Sequence, residues 1–213
     1  MISIKSFTFN ALQENTYVLF DETKAGVVID PGCYDHDEQK ELDDFIQKND
    51  IHLVHLLNTH CHVDHVLGNA FVSRKYGLTL ETSRIEEAQL RSVKTYAPIY
   101  GFHRFEEVEK VNYLNEGEKI TFGNSSLDIL SVPGHSPGHL AFWCPAQHFC
   151  VAGDVLFQGS IGRTDLPGGD YKQLEKSIKE KLYTLPEETV VYPGHGPKTV
   201  ISIEKRYNPF VKG

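Results

Sequence analysis

Three histidines and an aspartate crowd the segment Thr59–His65, THCHVDH. Side chains alternate direction along an extended segment, so His60 and His62 can converge on one ion. Asp64 and His65, being adjacent, point elsewhere and can serve a second ion a few ångströms away. Neutral imidazole nitrogen combined with a hard carboxylate oxygen suits zinc, iron or manganese better than calcium or magnesium. A polar turn with accidental histidines is the bland alternative, and the density of a scarce residue type argues against it.

A metal site built from one loop is incomplete, and three later segments offer partners: SVPGHSPGH at 131–139, VAGDVLF at 151–157 and VVYPGHGP at 190–197. Each is an apolar, β-rich run that ends in small or turn-forming residues and then a side chain able to bind metal. The shared Pro-Gly-His ending directs attention to His135 and His195, and the Ala-Gly-Asp ending to Asp154. The residues alone leave His135 and His139 as competing candidates.

His-x-His-x-Asp-His, a later Pro-Gly-His, an Ala-Gly-Asp and a final Pro-Gly-His-Gly, in this order over nearly the whole chain, resemble the metallo-β-lactamase fold superfamily. The segments LNEGEKITFGNSSLDILSVPGHSPGHLAFW and AGDVLFQGSIGRTDLPGGD and the terminal NPF are similar to short glyoxalase II-like hydrolases of bacteria. The resemblance implies that one ion takes His60, His62 and His135, that the other takes Asp64, His65 and His195, and that Asp154 bridges them. It selects His135 over His139, which is left to a supporting or solvent position near the site. It implies two divalent ions per chain, zinc first with iron or manganese as alternatives, and a bridging hydroxide that attacks a thioester such as S-lactoylglutathione. Asp64, beyond ligation, is the candidate for orienting that nucleophile. The chain ends soon after His195 and has no counterpart of the helical C-terminal domain that contributes to glutathione binding in the two-domain enzymes. Another small acyl substrate therefore stays open. So does a mononuclear iron persulfide dioxygenase, whose ligands would correspond to His60, His135 and Asp154.

Two further residues carry open assignments. Asp30, in VVIDPG at a strand end, either orients a histidine or simply forms an Asp-Pro-Gly turn. Arg163, in GSIGRTD, either grips a substrate carboxylate or locks its loop against Asp165 or Asp170. His36, His52, His55, His103 and His148 lie outside the motifs and read as structural or surface residues.

Composition bounds these readings. A net charge of −8 from 21 basic and 29 acidic residues, with no cluster of lysine and arginine, argues against nucleic acid as a partner. No long apolar run or signal-like N-terminus is present, so a cytoplasmic protein without membrane association is expected, acting on a small-molecule thioester. Cys33, Cys61, Cys144 and Cys150 form no CxxC pair and read as free thiols. Cys61 lies between two ligand candidates, yet alternation should turn it away from them.

The elements that must position these residues read as α/β. Strands are predicted at 2–9, 16–20, 25–30, 51–58, 119–122, 127–132, 140–144, 149–154 and 189–194, and helices at 37–49, 66–77, 83–97 and 171–185. The cluster at 60–65 then falls at a strand-to-helix turn, where open α/β sheets collect ligand sites. No linker divides the 213 residues, which are expected to form one domain. With the resemblance, the expected architecture is an αβ/βα sandwich, two mixed β-sheets flanked by helices.

Overall fold

A computed structural model describes residues 1–213. The chain divides into two compact units, Met1–Leu114 with Thr121–Ser126, and Asn115–Ile120 with Leu127–Gly213. Each carries a mixed six-stranded sheet, the fold class expected from the sequence.

In the first unit, strands β1 (Ser3–Phe9), β2 (Glu14–Phe20), β3 (Ala25–Ile29), β4 (His52–Leu57), β5 (Leu80–Ser83) and β6 (Val111–Leu114) lie in chain order. β1, β2 and β3 pair antiparallel, whereas β3 through β6 run parallel. Parallel strands need crossovers. These come from α1 (His36–Lys48) after β3, α2 (Val63–Val66) and α3 (Asn69–Tyr76) after β4, and α4 (Glu87–Tyr96) after β5. The carboxyl ends of β3, β4 and β5 consequently share one rim, where Asp30, the THCHVDH segment and the start of α4 follow.

Local chemistry explains where the helices begin and end. Asp35 caps α1 by accepting from Asp37 and Glu38 backbone N–H groups at 3.0 and 2.9 Å, and Glu38 returns the capping box. One α1 face buries Leu42 and Ile46 completely, each contributing about 1.5–3 kcal/mol. Of the helix predicted over 66–77 only Asn69–Tyr76 forms, as α3; the short α2 precedes it, and Gly68 separates the two. Gly68 lies so close to the loop after β3 that a Cβ there would meet Cys33 Sγ at 2.5 Å and Pro31 O at 2.8 Å. Its N–H donates to Pro31 O at 2.7 Å instead of closing a helical turn. The break leaves α2 as a four-residue platform for Asp64 and His65. β5 and β6, which the sequence reading missed, have only four residues each.

One of the motif-free histidines has a measurable role. His55 Nδ1 lies 2.6 Å from Glu81 Oε1 and its Nε2 lies 3.1 Å from Thr121 O. Both partners are acceptors, so only the doubly protonated ring satisfies both. The Glu81 hydrogen bond raises the His55 pKa against the opposing effect of burial. Because the folded value exceeds the unfolded value of about 6.5, this stabilisation is complete below the unfolded pKa and disappears as pH rises through the folded one. The melting temperature of wild type should therefore exceed that of His55→Gln by a few degrees at pH 6, about 1 kcal/mol. By pH 9 the gap should close. A gap independent of pH would contradict the imidazolium assignment.

In the second unit, β7 (Lys119–Phe122), β8 (Ser125–Ser131), β9 (Leu140–Cys144), β10 (Phe149–Gly153), β13 (Val190–Pro193) and β14 (Thr199–Val200) form the sheet β14-β13-β10-β9-β8-β7. The tip of the β7–β8 hairpin, Thr121–Ser126, counts with the first unit. A small hairpin of β11 (Leu156–Phe157) and β12 (Ser160–Ile161) follows β10, and helices α5 (Tyr171–Glu180) and α6 (Ile201–Tyr207) complete the unit. β10 and β13 are parallel, while β8 and β10 each pair antiparallel with β9. The ends of β8, β10 and β13 thus point the same way, which brings the segments bearing His135, Asp154 and His195 to one edge. No helix is long and apolar enough to cross a membrane.

Candidate metal centre

The first unit gathers His60, His62, Asp64 and His65, and all four are buried. The ring centroids of His60 and His62 lie 4.8 Å apart, and those of His60 and His65 lie 4.2 Å apart. Asp64 Oδ2 is 3.7 Å from His65 Nε2, so these two donor atoms border the same small space.

Asp30 explains why the rings are oriented as they are. Its Oδ1 accepts from Thr59 N at 2.7 Å and Asn58 Nδ2 at 3.1 Å, and its Oδ2 accepts from Thr59 Oγ1 at 2.6 Å. The same Oδ2 faces His65 Nδ1 at 3.1 Å. A carboxylate saturated in this way receives the His65 Nδ1 proton, so Nε2 is the unprotonated nitrogen that faces the site. Thr59, having given its proton to Asp30, accepts from His60 Nδ1 at 3.0 Å. His60 is thereby held in the same tautomer as His65. The two readings of Asp30 therefore coexist: it has φ +50 in the tight turn after β3, and it orients a histidine. Although Asp30, His60 and His65 offer donor atoms within 4.8 Å of one another, the saturation of Asp30 makes it a support for ligands.

The second unit gathers His135, Asp154 and His195. Asp154 Oδ2 lies 3.5 Å from His135 Nε2 and 3.6 Å from His195 Nε2. One carboxylate oxygen between two imidazoles is the arrangement expected of a shared ligand. His135 Nδ1 donates to Arg163 O at 2.8 Å, so Nε2, the nitrogen facing Asp154, is again the unprotonated one. His139 does not compete for the metal. Its Nε2 accepts from Asp154 N at 3.1 Å and its Nδ1 donates to Leu140 O at 3.0 Å, so both nitrogens are used in holding Asp154 at the strand end. Of the two expected positions, supporting or solvent, it takes the first, and it is fully buried.

Other expectations resolve here. The Arg163 guanidinium forks onto Asp165 at 2.7 and 2.8 Å, which matches the loop-locking alternative, and this pairing holds the Asp165 carboxyl at about 2. Cys61 is buried with Sγ 4.0 Å from Thr82 Oγ1, and its N–H donates to Glu86 Oε2 at 2.9 Å. Burial pushes its thiol up, and those of Cys33 and Cys150, the last to about 12. All four cysteines are free.

The sequence reading overlooked two buried supports. Glu14, fully buried behind His65 with Oε1 3.9 Å from Nδ1, binds Thr16 Oγ1 at 2.9 Å; burial pushes its carboxyl well above the usual range. An acid heading the otherwise buried run of β2 was the available signal. Thr59, adjacent to the first ligand, was the other.

Residues 9–195 match the family model described as the metallo-beta-lactamase superfamily. The chain is 35% identical over 212 residues to hydroxyacylglutathione hydrolase GloC of Haemophilus influenzae, covering 99% of this chain and 98% of the relative. Among solved structures it resembles TTHA1623 in a di-iron-bound form, with 37% identity, a TM-score of 0.87 and coverage of 97% and 100% of the two chains. It also resembles the BLEG-1 B3 metallo-beta-lactamase, with 32% identity, a TM-score of 0.89 and coverage of 99% and 100%. A family match that runs from β1 to His195, together with relatives aligned over their full length, establishes that this chain belongs to the metallo-beta-lactamase superfamily.

Proposed function

We propose that this chain is a dinuclear metal-dependent thioesterase acting on S-lactoylglutathione or a closely similar acyl thioester. The observation that carries the reading is Asp154, whose single carboxylate oxygen stands between His135 and His195. The residues fit divalent ions on their own chemistry: His60, His65 and His135 each have Nδ1 engaged with an oxygen, which leaves Nε2 to bind. In this assignment His60, His62 and His135 serve one ion, Asp64, His65 and His195 the other, and Asp154 both. Zinc, iron and manganese all suit such a set, and the di-iron form of TTHA1623 supports iron alongside zinc.

Bound there, the ions would supply a water ionised near neutral pH and an electrophile for the acyl oxygen. The chain's own residues do the rest. Asp30 and Thr59 keep the His65 and His60 rings from rotating, so no reorganisation is needed when charge develops. Asp64 presents a carboxylate oxygen beside the His65 donor and orients the attacking water. The Asp154 backbone, pinned by His139, keeps the shared carboxylate at its strand end. A thiolate leaves readily without a general acid.

The name of the GloC relative, aligned over 98% of its own length, supports the glutathione thioester. The reading is tested by comparing initial rates of metal-loaded protein on S-lactoylglutathione, a chromogenic β-lactam and a phosphodiester. Thioester cleavage should exceed the other two by at least about a hundredfold in kcat/KM, roughly 2.7 kcal/mol of differential transition-state binding. Turnover of the β-lactam or phosphodiester without thioester cleavage would overturn the substrate and leave the superfamily standing.

A further inference from the structure

The NPF tail and the GSIGRTD loop, singled out in the sequence as separate motifs, meet in the second unit. Asn208 Nδ2 donates to Ser160 O at 3.0 Å and to Glu204 Oε2 at 2.9 Å. Glu204 Oε2 also accepts from Gly159 N at 3.0 Å, and its Oε1 accepts from Thr199 Oγ1 at 2.6 Å. Both residues are only 1% exposed. They grip the turn of the β11–β12 hairpin at two successive residues. The other side of Asn208 fastens the tail, since its Oδ1 accepts from Phe210 N at 3.0 Å and Val211 N at 3.2 Å.

The hairpin leads directly to the metal ligands. Gly162 N donates to Val155 O at 3.2 Å, and a Cβ at Gly162 would meet Asp154 O at 1.9 Å and His135 Cβ at 3.1 Å. Arg163, the next residue, supplies the carbonyl that receives the His135 Nδ1 proton. A β11–β12 hairpin of two-residue strands has little stability alone, so the position of this carbonyl depends on what holds the turn.

We infer that Glu204 and Asn208 are positioning residues for the metal centre: through the β11–β12 hairpin they fix the Arg163 carbonyl and hence the ring and tautomer of His135. A buried carboxylate that accepts three hydrogen bonds to no charged partner is costly for mere tail anchoring. The inference rests on the metal-ligand assignment of His135 and not on the identity of the substrate.

The test compares Asn208→Ala, Glu204→Ala and Glu204→Gln with Tyr171→Phe. The tyrosine hydroxyl donates to Phe210 O at 3.1 Å and so anchors the tail without touching the hairpin. Cobalt(II) is loaded into each protein, and the visible spectrum, cobalt content and rate of loss to a chelator are measured beside the melting temperature of the metal-free form. Asn208→Ala and Glu204→Ala should lose one cobalt about 10–100 times faster than wild type, as expected for a lost support of a ligand, with an altered spectrum. Glu204→Gln should restore wild-type behaviour, because its amide oxygen can accept from Gly159 and Asn208 while its NH2 donates to Thr199. Tyr171→Phe should lower the melting temperature at most, with cobalt unaffected. If Asn208→Ala does not fold, Glu204→Ala against Glu204→Gln carries the comparison. Unchanged cobalt release and spectrum in the alanine variants would overturn the inference and leave the metal reading intact. Wild-type protein that takes up no cobalt would overturn both.

Discussion

Asp154→Ala protein is expected to lose most of its bound metal and at least about a thousandfold of its hydrolytic rate. The alanine removes the carboxylate oxygen placed between His135 and His195, and two cations held there would lose the anion that offsets their repulsion. The backbone is not the cause of this loss. The Asp154 N–H still donates to His139 Nε2, and the strand that precedes it is buried along its length. Far-ultraviolet circular dichroism should therefore match wild type, while metal analysis and kcat fall together. Two ions per chain with a rate within tenfold of wild type would remove the carboxylate from its central role.

His195→Ala is expected to cost one ion of two and about a hundredfold to ten-thousandfold of thioester hydrolysis. His195 is the one proposed ligand that is partly exposed, its side chain at 29%, so the substitution opens no core cavity and its effect on stability should be small. His65→Ala should give the same loss of one ion, with a further drop in stability because that ring is completely buried. The same pair of variants separates hydrolysis from oxygenation. A single iron held by His60, His135 and Asp154 needs neither residue, so oxygen uptake with glutathione persulfide would survive both substitutions. Retained oxygen uptake with one iron per chain would replace the hydrolase by a dioxygenase. Loss of thioesterase activity in step with the second ion supports the proposal.

The parts of the site that were legible in the sequence are those in which chemistry and turn formation coincide. Histidine and aspartate beside Pro-Gly or Ala-Gly at the end of an apolar run can be read without coordinates, because strand ends must be punctuated and metals need unusual residues. His139 illustrates the limit. It shares the histidine-after-glycine pattern with His135, and only the hydrogen bond from Asp154 N shows that its second nitrogen is already used. Glu204 and Asn208 were illegible for a related reason: the groups they hold in the hairpin, Gly159 N and Ser160 O, lie 45 and 48 residues away, and such pairing leaves no local pattern. β5 (LETS) and β6 (VNYL) lack the regular apolar alternation that made the equally short β7 (KITF) legible, and β14 has only two residues. Gly68 has the opposite character, being a break in a helical pattern that only the nearness of Cys33 and Pro31 explains.

The burial of Cys61 has a bearing on the chemistry of the product. A thioesterase releases a thiol at its own centre, and a sulfur nucleophile in that place would invite mixed disulfides under mild oxidation. Here the one cysteine inside the ligand motif is turned to Thr82, sealed from solvent and held protonated by its burial. Thiolate, the form that reacts, is scarce. The alternation of side chains that aims His60 and His62 inward thus also turns the intervening sulfur away from the thiol that the proposed thioester hydrolysis would release.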